Sequence, residues 1–515
     1  MQKLDGFFRN VFYLFLLVTI EILTIACAPA IHNENPIKSK DTLRILSFNI
    51  LYGGDEVDFS KTIEAIRLTD ADIVGLQEAE GNTEKLAKAL NYPYFDSKLH
   101  LLSRFPLIRS FSNGWYYTYV ETSPGEVFSI FNIHLPSDPY GPELARDGMP
   151  TDSVYINELR TRFHELDIHR KHFAELQSQG ISIILTGDFN APSHIDWSAD
   201  LVGIRPHLKY AFDWPVSKNL ELLGFVDAYR AVFPNPKTKQ GLTWTPGFPS
   251  PKINPRETHD RIDFIWTRGE EKIIGAKILG EMNGPDVDLS VNPFPSDHRG
   301  VIIDCVIKSK PAPNYIQTKN RIINFDDSID LNYNSNLKES LNIILKDSSG
   351  RIIFSINNVS SSNNLIHVNI PDQCVGKIQV QLLCKDSIIA LSDFWRLEAV
   401  KFQPTLLITK NIFLVNEPIT VNWQNSPGDR FDWIAVYPKM ANTKSDYGLT
   451  HQQSHYLIYK YTRGEVSGSL SLDSLSKGDH WPLPAGEYQI HLLSDDGFTS
   501  LDNKSIRILD SKQKN

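Results

Sequence analysis

Two polar side chains, Asp188 and Asn190, close the apolar run Ile181-Ser-Ile-Ile-Leu-Thr-Gly-Asp-Phe-Asn190. The β-branched and aliphatic residues before them read as a buried strand. Pro192 ends that strand, because proline cannot continue a central ladder. In extended backbone, residues i and i+2 share a face, so a carboxylate and an amide are expected to leave the strand end side by side. Such a pair is either a proton-handling site or a strand cap with an Asx-type turn. Five further stretches deliver polar groups in the same way: Asn49, Glu78, His134, Asp263 and the pair Asp297-His298 each sit at or beside an apolar strand. Singly, Asn49 reads as a turn residue, Glu78 as an exposed strand end, His134 as a hydrogen-bonded core histidine and Asp297 as a cap. Their recurrence argues for chemistry.

The elements that position these groups alternate strand and helix signals. Leu43–Leu51, Asp72–Glu78, Val127–His134, Gly241–Thr245 and Arg261–Trp266 read as strands. Residues 61–69, 83–90, roughly 155–179 and 215–224 carry the helical period, with Gly180 as a stop signal. This mixture fits neither a pure β-sandwich nor a strict βαβ repeat. It predicts two packed β-sheets flanked by helices, an α/β four-layer sandwich, over residues 42–308. A linker is expected over 309–320, from Lys308-Ser-Lys-Pro-Ala-Pro-Asn314. Beyond it, short alternating strands between Asn/Ser/Asp turns predict two small all-β modules, 321–401 and 402–512, with no clear repeat between them. The segment after His134 (Pro136–Met149) and His194–Trp197 follow strands with candidate residues, so both are expected to line a pocket. Tyr140, Trp197, Trp214 and Trp244 are candidates for stacking on a ring there, with core packing the alternative for Trp214 and Trp244.

The chain of 515 residues is 41% hydrophobic and 22% charged, with net charge −9. That balance argues against a broad basic surface for polyanionic duplexes. Lys3 and Arg9, the apolar stretch Val11–Ile20 and Leu23-Thr-Ile-Ala-Cys27 form a targeting signal over 1–27, followed by a tether over 28–41. The cysteine after Ala26 resembles a bacterial lipoprotein box, which implies export and a membrane anchor through Cys27; an uncleaved signal anchor is the alternative. Cys305 reads as a buried structural thiol, whereas a bridge between Cys374 and Cys384 is open.

Phe48-Asn49, Gln77-Glu78, Ile133-His134-Leu135, Gly187-Asp-Phe-Asn190, Arg261-Ile-Asp263 and Ser296-Asp-His298, in this order, resemble the endonuclease/exonuclease/phosphatase (DNase I-like) superfamily. The resemblance implies a metal-dependent phosphoesterase using Mg²⁺ or Mn²⁺, with Asn49, Glu78 and Asp297 at the metal. Asp188 is then expected to deprotonate the attacking water, and Asn190 to donate to a phosphoryl oxygen or orient Asp188. His298, oriented by Asp263, is expected to hydrogen-bond the phosphoryl group. His134 either contacts the phosphate or assists the leaving group. Arg261 is expected to be a structural ion-pair partner, and Arg104 is open between the same two roles. Glu257-Thr-His-Asp-Arg261 departs from the inositol 5-phosphatase signature. The implied substrate is a phosphorylated small molecule, a lipid head group as in sphingomyelinases, or a nucleotide; nucleic acid is not favoured. The last module resembles the immunoglobulin-like sandwiches found beside phosphoesterases, and its Tyr456, Tyr459 and Tyr461 read as sandwich core, with a carbohydrate- or surface-binding role the alternative. A reading of another class makes the chain a surface binding protein that works through its β modules.

Overall fold

Strands that are apolar along their whole length need cover on both faces, and the first half of the chain is built around such strands. The computed structural model describes residues 42–515 apart from 110–115, 319, 326, 361–364, 398–402, 430, 440–455, 479, 496 and 511–515. The expected signal segment and tether lie outside the described residues. In chain order the strands of the first half are β1 (Thr42–Asn49), β2 (Ile73–Gln77), β3 (Tyr94–Asp96), β4 (Leu101–Ser103), β5 (Leu107–Arg109), β6 (Thr118–Ser123), β7 (Glu126–His134), β8 (Ile183–Asp188), β9 (Val226–Asp227), β10 (Asp263–Arg268), β11 (Glu271–Glu281), β12 (Leu289–Val291), β13 (Gly300–Ile307) and β14 (Lys310–Pro311). They form two mixed seven-stranded sheets, ordered β12-β11-β13-β1-β2-β4-β3 and β5-β6-β7-β8-β10-β9, with β14 pairing β7. β1 runs parallel to β2 and β7 parallel to β8, so each pair delivers its two strand ends side by side.

Alternation along each strand separates the layers. Ile45, Ile73, Phe128, Ile130, Ile184 and Ile265 meet between the sheets. Leu46, Phe48 and Leu76 instead face the helices Phe59–Thr69 and Thr83–Leu90 through Ala65, Ile66 and Leu86. On the other sheet Phe131, Leu185 and Trp266 pack against Leu166, Phe173, Leu176 and Leu220, from the helices His164–Ser178 and Pro215–Leu222. Each such buried side chain contributes about 2 kcal/mol of apolar burial.

The helix expected from 155 begins earlier, at Thr151, and runs to Ser178 with a π-helical turn over Leu159–Phe163. That turn carries Arg162 inward, where Nε donates to the Asn190 carbonyl at 2.6 Å. Gly241–Thr245 is not a strand; Trp244 only bridges Asp260 and His298. Thr243 hydrogen-bonds across this loop instead of along a ladder, since its Oγ1 accepts from the Ile262 and Asp263 amides.

The second half holds two further units. The first contains β15 (Tyr315–Thr318), β16 (Ile322–Asn324), β17 (Ile329–Asn334), β18 (Leu341–Lys346), β19 (Ile352–Val359), β20 (Leu365–Val368), β21 (Gly376–Cys384) and β22 (Ser387–Leu397). The second contains β23 (Thr405–Ile408), β24 (Ile412–Leu414), β25 (Ile419–Gln424), β26 (Trp433–Pro438), β27 (Ile458–Tyr461), β28 (Gly468–Leu472), β29 (Gly486–Leu493) and β30 (Ser500–Leu509). Here β17 and β18 alternate buried and half-buried residues, as strands covered on one face do.

The sheet orders are β15-β17-β20 with β16-β22-β21-β18-β19, and β23-β25-β28 with β24-β30-β29-β26-β27. Adding eight to each strand number of the first unit reproduces the second. The parallel edge pairing recurs as well, in β16 with β22 and in β24 with β30. The modules are therefore a structural repeat, contrary to the sequence expectation. The repeat escapes the sequence because a half-buried strand constrains only apolar character at alternate positions, not residue identity.

The stretch 309–320 differs from a free linker: β14 pairs β7 and β15 is an edge of the first module's sheet. Pro311 and Pro313 do not prevent this, because the pairing is short and at an edge, where proline is tolerated. Cys305, Cys374 and Cys384 are free, buried thiols.

Candidate active site

Strand register places the polar groups. In the β7-β8-β10 sheet His134 is the partner of Asp188, and Asp188 the partner of Asp263, so one row carries an imidazole and two carboxylates. On the facing sheet Asn49 is the partner of Gln77, and Glu78 follows with φ 54°, which turns its side chain out of the ladder. The loop before β13 brings Asp297 and His298. Ser296 holds that loop, since its Oγ donates to the Asn49 carbonyl at 2.7 Å and accepts the His298 amide at 3.0 Å.

These groups meet. Asn49 Nδ2 donates to Glu78 Oε1 at 2.9 Å and to Asp188 Oδ2 at 3.1 Å, which joins the two sheets. His298 Nδ1 lies 2.9 Å from Asp263 Oδ2, and its Nε2 lies 3.7 Å from Asp188 Oδ2. His134 Nε2 lies 3.7 Å from Asp188 Oδ2 and 4.0 Å from Glu78 Oε1. Asp188 and Asp263 are almost wholly buried, whereas Glu78 and His134 keep some exposure and so face the opening.

Burial by itself lowers the His298 pKa, but the flanking carboxylates of Asp263 and Asp188 outweigh it and hold the imidazolium well above its usual range. Burial raises the Asp188 carboxyl, partly offset by His298. Burial also pushes Asp297 up to about 7; His298 opposes this and Glu78 adds to it. A positive charge at this point would relieve the repulsion between Asp297 and Glu78.

Asp188, Asp263 and His298 bring one ligand-capable atom each within 4.8 Å of one another, a candidate metal-binding group. The donor chemistry around Glu78 fits a hard cation as well. Asp297 Oδ1 is buried without a hydrogen-bond partner, and a buried carboxylate oxygen left in that state is costly unless something binds it. Asn49 is turned the other way: its Oδ1 accepts from the Leu51 amide at 3.1 Å, and its NH₂ orients the carboxylates.

Asn190 departs from the expected geometry. β8 ends at Asp188 and Asn190 has φ 46°, so the pair does not share an extended strand. Its backbone N–H donates to Asp188 Oδ1 at 2.9 Å, while its side-chain amide donates to the Leu135 carbonyl at 3.0 Å. Asn190 therefore orients Asp188 through its backbone.

Arg261 is fully buried and forks onto Asp196 and Asp227 at 2.7 Å each, a structural pairing as expected. Arg104 pairs with Asp70 and Asp72. The expected pocket segment His194–Trp197 is packed inside, because Asp196 serves Arg230 and Arg261 and Trp197 Nε1 donates to Asp260. Trp197 and Trp214 are fully buried and pack edge to face at 4.9 Å, as members of a core cluster rather than of the pocket wall. Tyr140 is half-buried. Trp244, half-buried, lies 4.7 Å from the His298 ring and donates to Glu257.

Sequence reasoning missed Ser296 and Thr243 as positioning residues, and it missed the origin of one wall altogether. A cavity of about 130 Å³ beside Glu78 and His134 is lined by Pro136 and Ser137, as expected, and by Tyr52, Trp433, Tyr456, Tyr459, Tyr461 and Phe498. Five of these rings belong to the last β module, roughly 300 residues or more after β7 in the chain. No local pattern could have announced that.

Residues 46–298 match the family model described as Endonuclease/Exonuclease/phosphatase family. The chain is similar to Uncharacterized protein F14F9.5 of Caenorhabditis elegans, 27% identical over 315 residues, which covers 55% of this chain and 96% of that protein. Among solved structures it is similar to an endonuclease/exonuclease/phosphatase from Beutenbergia cavernae DSM 12333, at 13% identity and TM-score 0.32, covering 69% of this chain and 100% of that one. It is also similar to D. rerio TDP2 complexed with single strand DNA product, at 16% identity and TM-score 0.31, covering 51% and 98%. Residues 46–298 thus form an endonuclease/exonuclease/phosphatase family domain, whose strand ends and loop before β13 gather Asp188, Asp263 and His298 into one buried cluster.

Proposed function

We propose that the chain is a divalent-metal-dependent phosphoesterase acting on a phosphodiester or phosphomonoester. The observation that carries this reading is the Asp263–His298–Asp188 chain, with its 2.9 Å and 3.7 Å separations, set beside Glu78 and the unpartnered Asp297 oxygen. Glu78 and Asp297 would hold Mg²⁺ or Mn²⁺, with Asn49 orienting Glu78. When bound, the ion neutralises charge on the phosphoryl oxygens.

Asp188 takes the proton from the attacking water. Burial raises its basicity, and the Asn190 backbone and Asn49 amide fix its two oxygens. A new P–O bond forms from that water as the bond to the leaving oxygen breaks in line. His298, held as imidazolium by Asp263, donates to a phosphoryl oxygen and stabilises the developing charge. His134, nearer the opening, contacts the phosphate or the leaving group.

The acidic net charge, and a cavity with no lysine or arginine among its described lining residues, favour a small or lipid-borne phosphate over nucleic acid. Export, with a lipid anchor at Cys27, and an immunoglobulin-like character for the two β modules belong to the same proposal. Hydrolysis of bis-p-nitrophenyl phosphate and p-nitrophenyl phosphate with Mg²⁺ or Mn²⁺, abolished by EDTA, is the expected result. No metal-dependent turnover of these or of a broader phosphoester panel would reject the enzyme and favour a binding protein that works through its β modules.

A further inference from the structure

The last β module sits against the end of the catalytic domain that bears the site. His100 stacks on Phe431 at 5.2 Å and 8°, and its Nε2 lies 3.3 Å from Asp495. Lys98 pairs with Asp429, and Lys477 reaches Glu165 at 3.1 Å. Tyr52, three residues after Asn49, meets Phe498 edge-on at 6.0 Å. The module's rings interlock behind that contact. Trp433 lies 5.3–5.6 Å from Tyr456, Tyr459 and Phe498, all near perpendicular, and Tyr459 lies 5.7 Å from Tyr461. These rings, Tyr52, Glu78, Glu80 and His134 line one cavity. A substrate whose phosphoryl group meets Glu78 and His134 therefore has its next few atoms against the rings.

The chemistry of that wall is specific. Aromatic faces attract cations, most strongly where water is excluded. The same rings already attract one, since Lys477 Nζ lies 4.5 Å from the Tyr461 centroid and 5.7 Å from that of Tyr459. The carboxyl groups of the lining are those of Glu78 and Glu80, and no lysine or arginine stands among its described residues. Among the described lining residues a second phosphate would meet no lysine or arginine, Lys477 lying against the Tyr461 ring without lining the cavity. The size agrees: a cavity of roughly 150 Å³ takes up benzene, close to the 130 Å³ here. A trimethylammonium group has that bulk.

Building on the proposed phosphoesterase activity, we infer that the C-terminal β module supplies an aromatic cation site to the catalytic cleft, selecting phosphoesters that carry an alkylammonium group close to the phosphorus. The catalytic domain handles the phosphoryl group, and the module reads the charge attached to it.

The test compares p-nitrophenyl phosphorylcholine with its neutral isostere, p-nitrophenyl 3,3-dimethylbutyl phosphate, on the full chain. The choline ester should show at least tenfold higher kcat/KM. Tyr456→Leu should reduce that ratio several-fold, mainly through KM, and Tyr456→Phe should restore it, since the ring face is what binds. Equal turnover of the two esters with metal-dependent activity intact overturns the inference and leaves the phosphoesterase standing. Binding measured by calorimetry in the Asp188→Ala chain separates the two ideas where turnover is lacking. Phosphorylcholine should bind at least tenfold more tightly than 3,3-dimethylbutyl phosphate, and equal affinity overturns the inference whether or not the enzyme turns over.

Discussion

The two β modules share one topology and differ in where they touch the catalytic domain. The first is fixed at the start of β7: β14 pairs with Glu126 and Val127, the Ala312 amide donates to the Gly125 carbonyl, and Gln317 accepts the Arg109 amide at 2.9 Å. The second reaches the other end, where β7 delivers His134. β7 has nine residues, so the two attachment points are about 26 Å apart at the rise of a strand. The modules also contact each other, through Lys377 with Glu465 at 3.2 Å and Trp395 with Val466. One copy is therefore attached at the start of β7 and the other lines the site at its end. A repeated fold can attach at one end of a sheet in one copy and form part of a binding wall in the next, and the wall is made of rings that the second copy carries. Where the second module carries Trp433 and Tyr459 on the face of β26 and β27 away from its core, that face of β18 and β19 in the first carries Asn342, Ile344 and Ser355.

The contrast is sharpened by breaking site, second module and first module separately. The largest effect belongs to the site. Asp188→Ala should lower metal-dependent hydrolysis by about 10³-fold or more, the range for loss of a general base. Its thermal midpoint should move by only a few degrees, read by calorimetry, because a buried carboxylate is removed without disturbing either module. Retained activity would reject Asp188 as the base.

Next comes the packing of the second module. His100→Ala removes the stack on Phe431 and leaves Asp495 buried without its imidazole. We expect a loss of about 3 kcal/mol in denaturant unfolding, with p-nitrophenyl phosphorylcholine turnover reduced in step. Full turnover in a destabilised chain would show that the module is not part of the cleft.

A pH dependence follows from Asp432 in the same interface. Burial pushes its carboxyl up to about 6, against the hydrogen bond from Ser426. The folded pKa is therefore raised above the unfolded one, so its contribution is complete below about pH 4 and is lost as pH rises through about 6. The stability of the native chain relative to Asp432→Asn should thus decline between these limits, measured by denaturant midpoints. A flat difference would show that Asp432 does not titrate there.

The smallest effect belongs to the first module. Gln317→Ala removes one hydrogen bond to the Arg109 amide and should cost about 1 kcal/mol without altering turnover. A rate change comparable to that of His100→Ala would erase the distinction between the two modules.

Much of the site was legible because its residues sit where strands stop. Apolar runs that end in Asn49, Glu78, His134 and Asp188 are local patterns, and a parallel or antiparallel partner aligns such ends without further information. Asn190 was misjudged because it follows a strand that had already ended: the left-handed backbone at 190 redirects its amide to Leu135. Trp197 was misjudged because an indole beside a site motif looks the same in sequence whether it faces solvent or, as here, Asp260.

By itself the sequence determined the kind of elements, their order, and which polar groups stand at their ends, since period and turn chemistry act over a few residues. Only the tertiary structure decided the rest. It showed that the Asp297 oxygen is buried without a partner, that the two β modules repeat one topology, and that the second brings Trp433 and its neighbouring rings to Glu78 and His134. Those facts depend on contacts between residues hundreds of positions apart, which burial and shape select and no local spacing encodes.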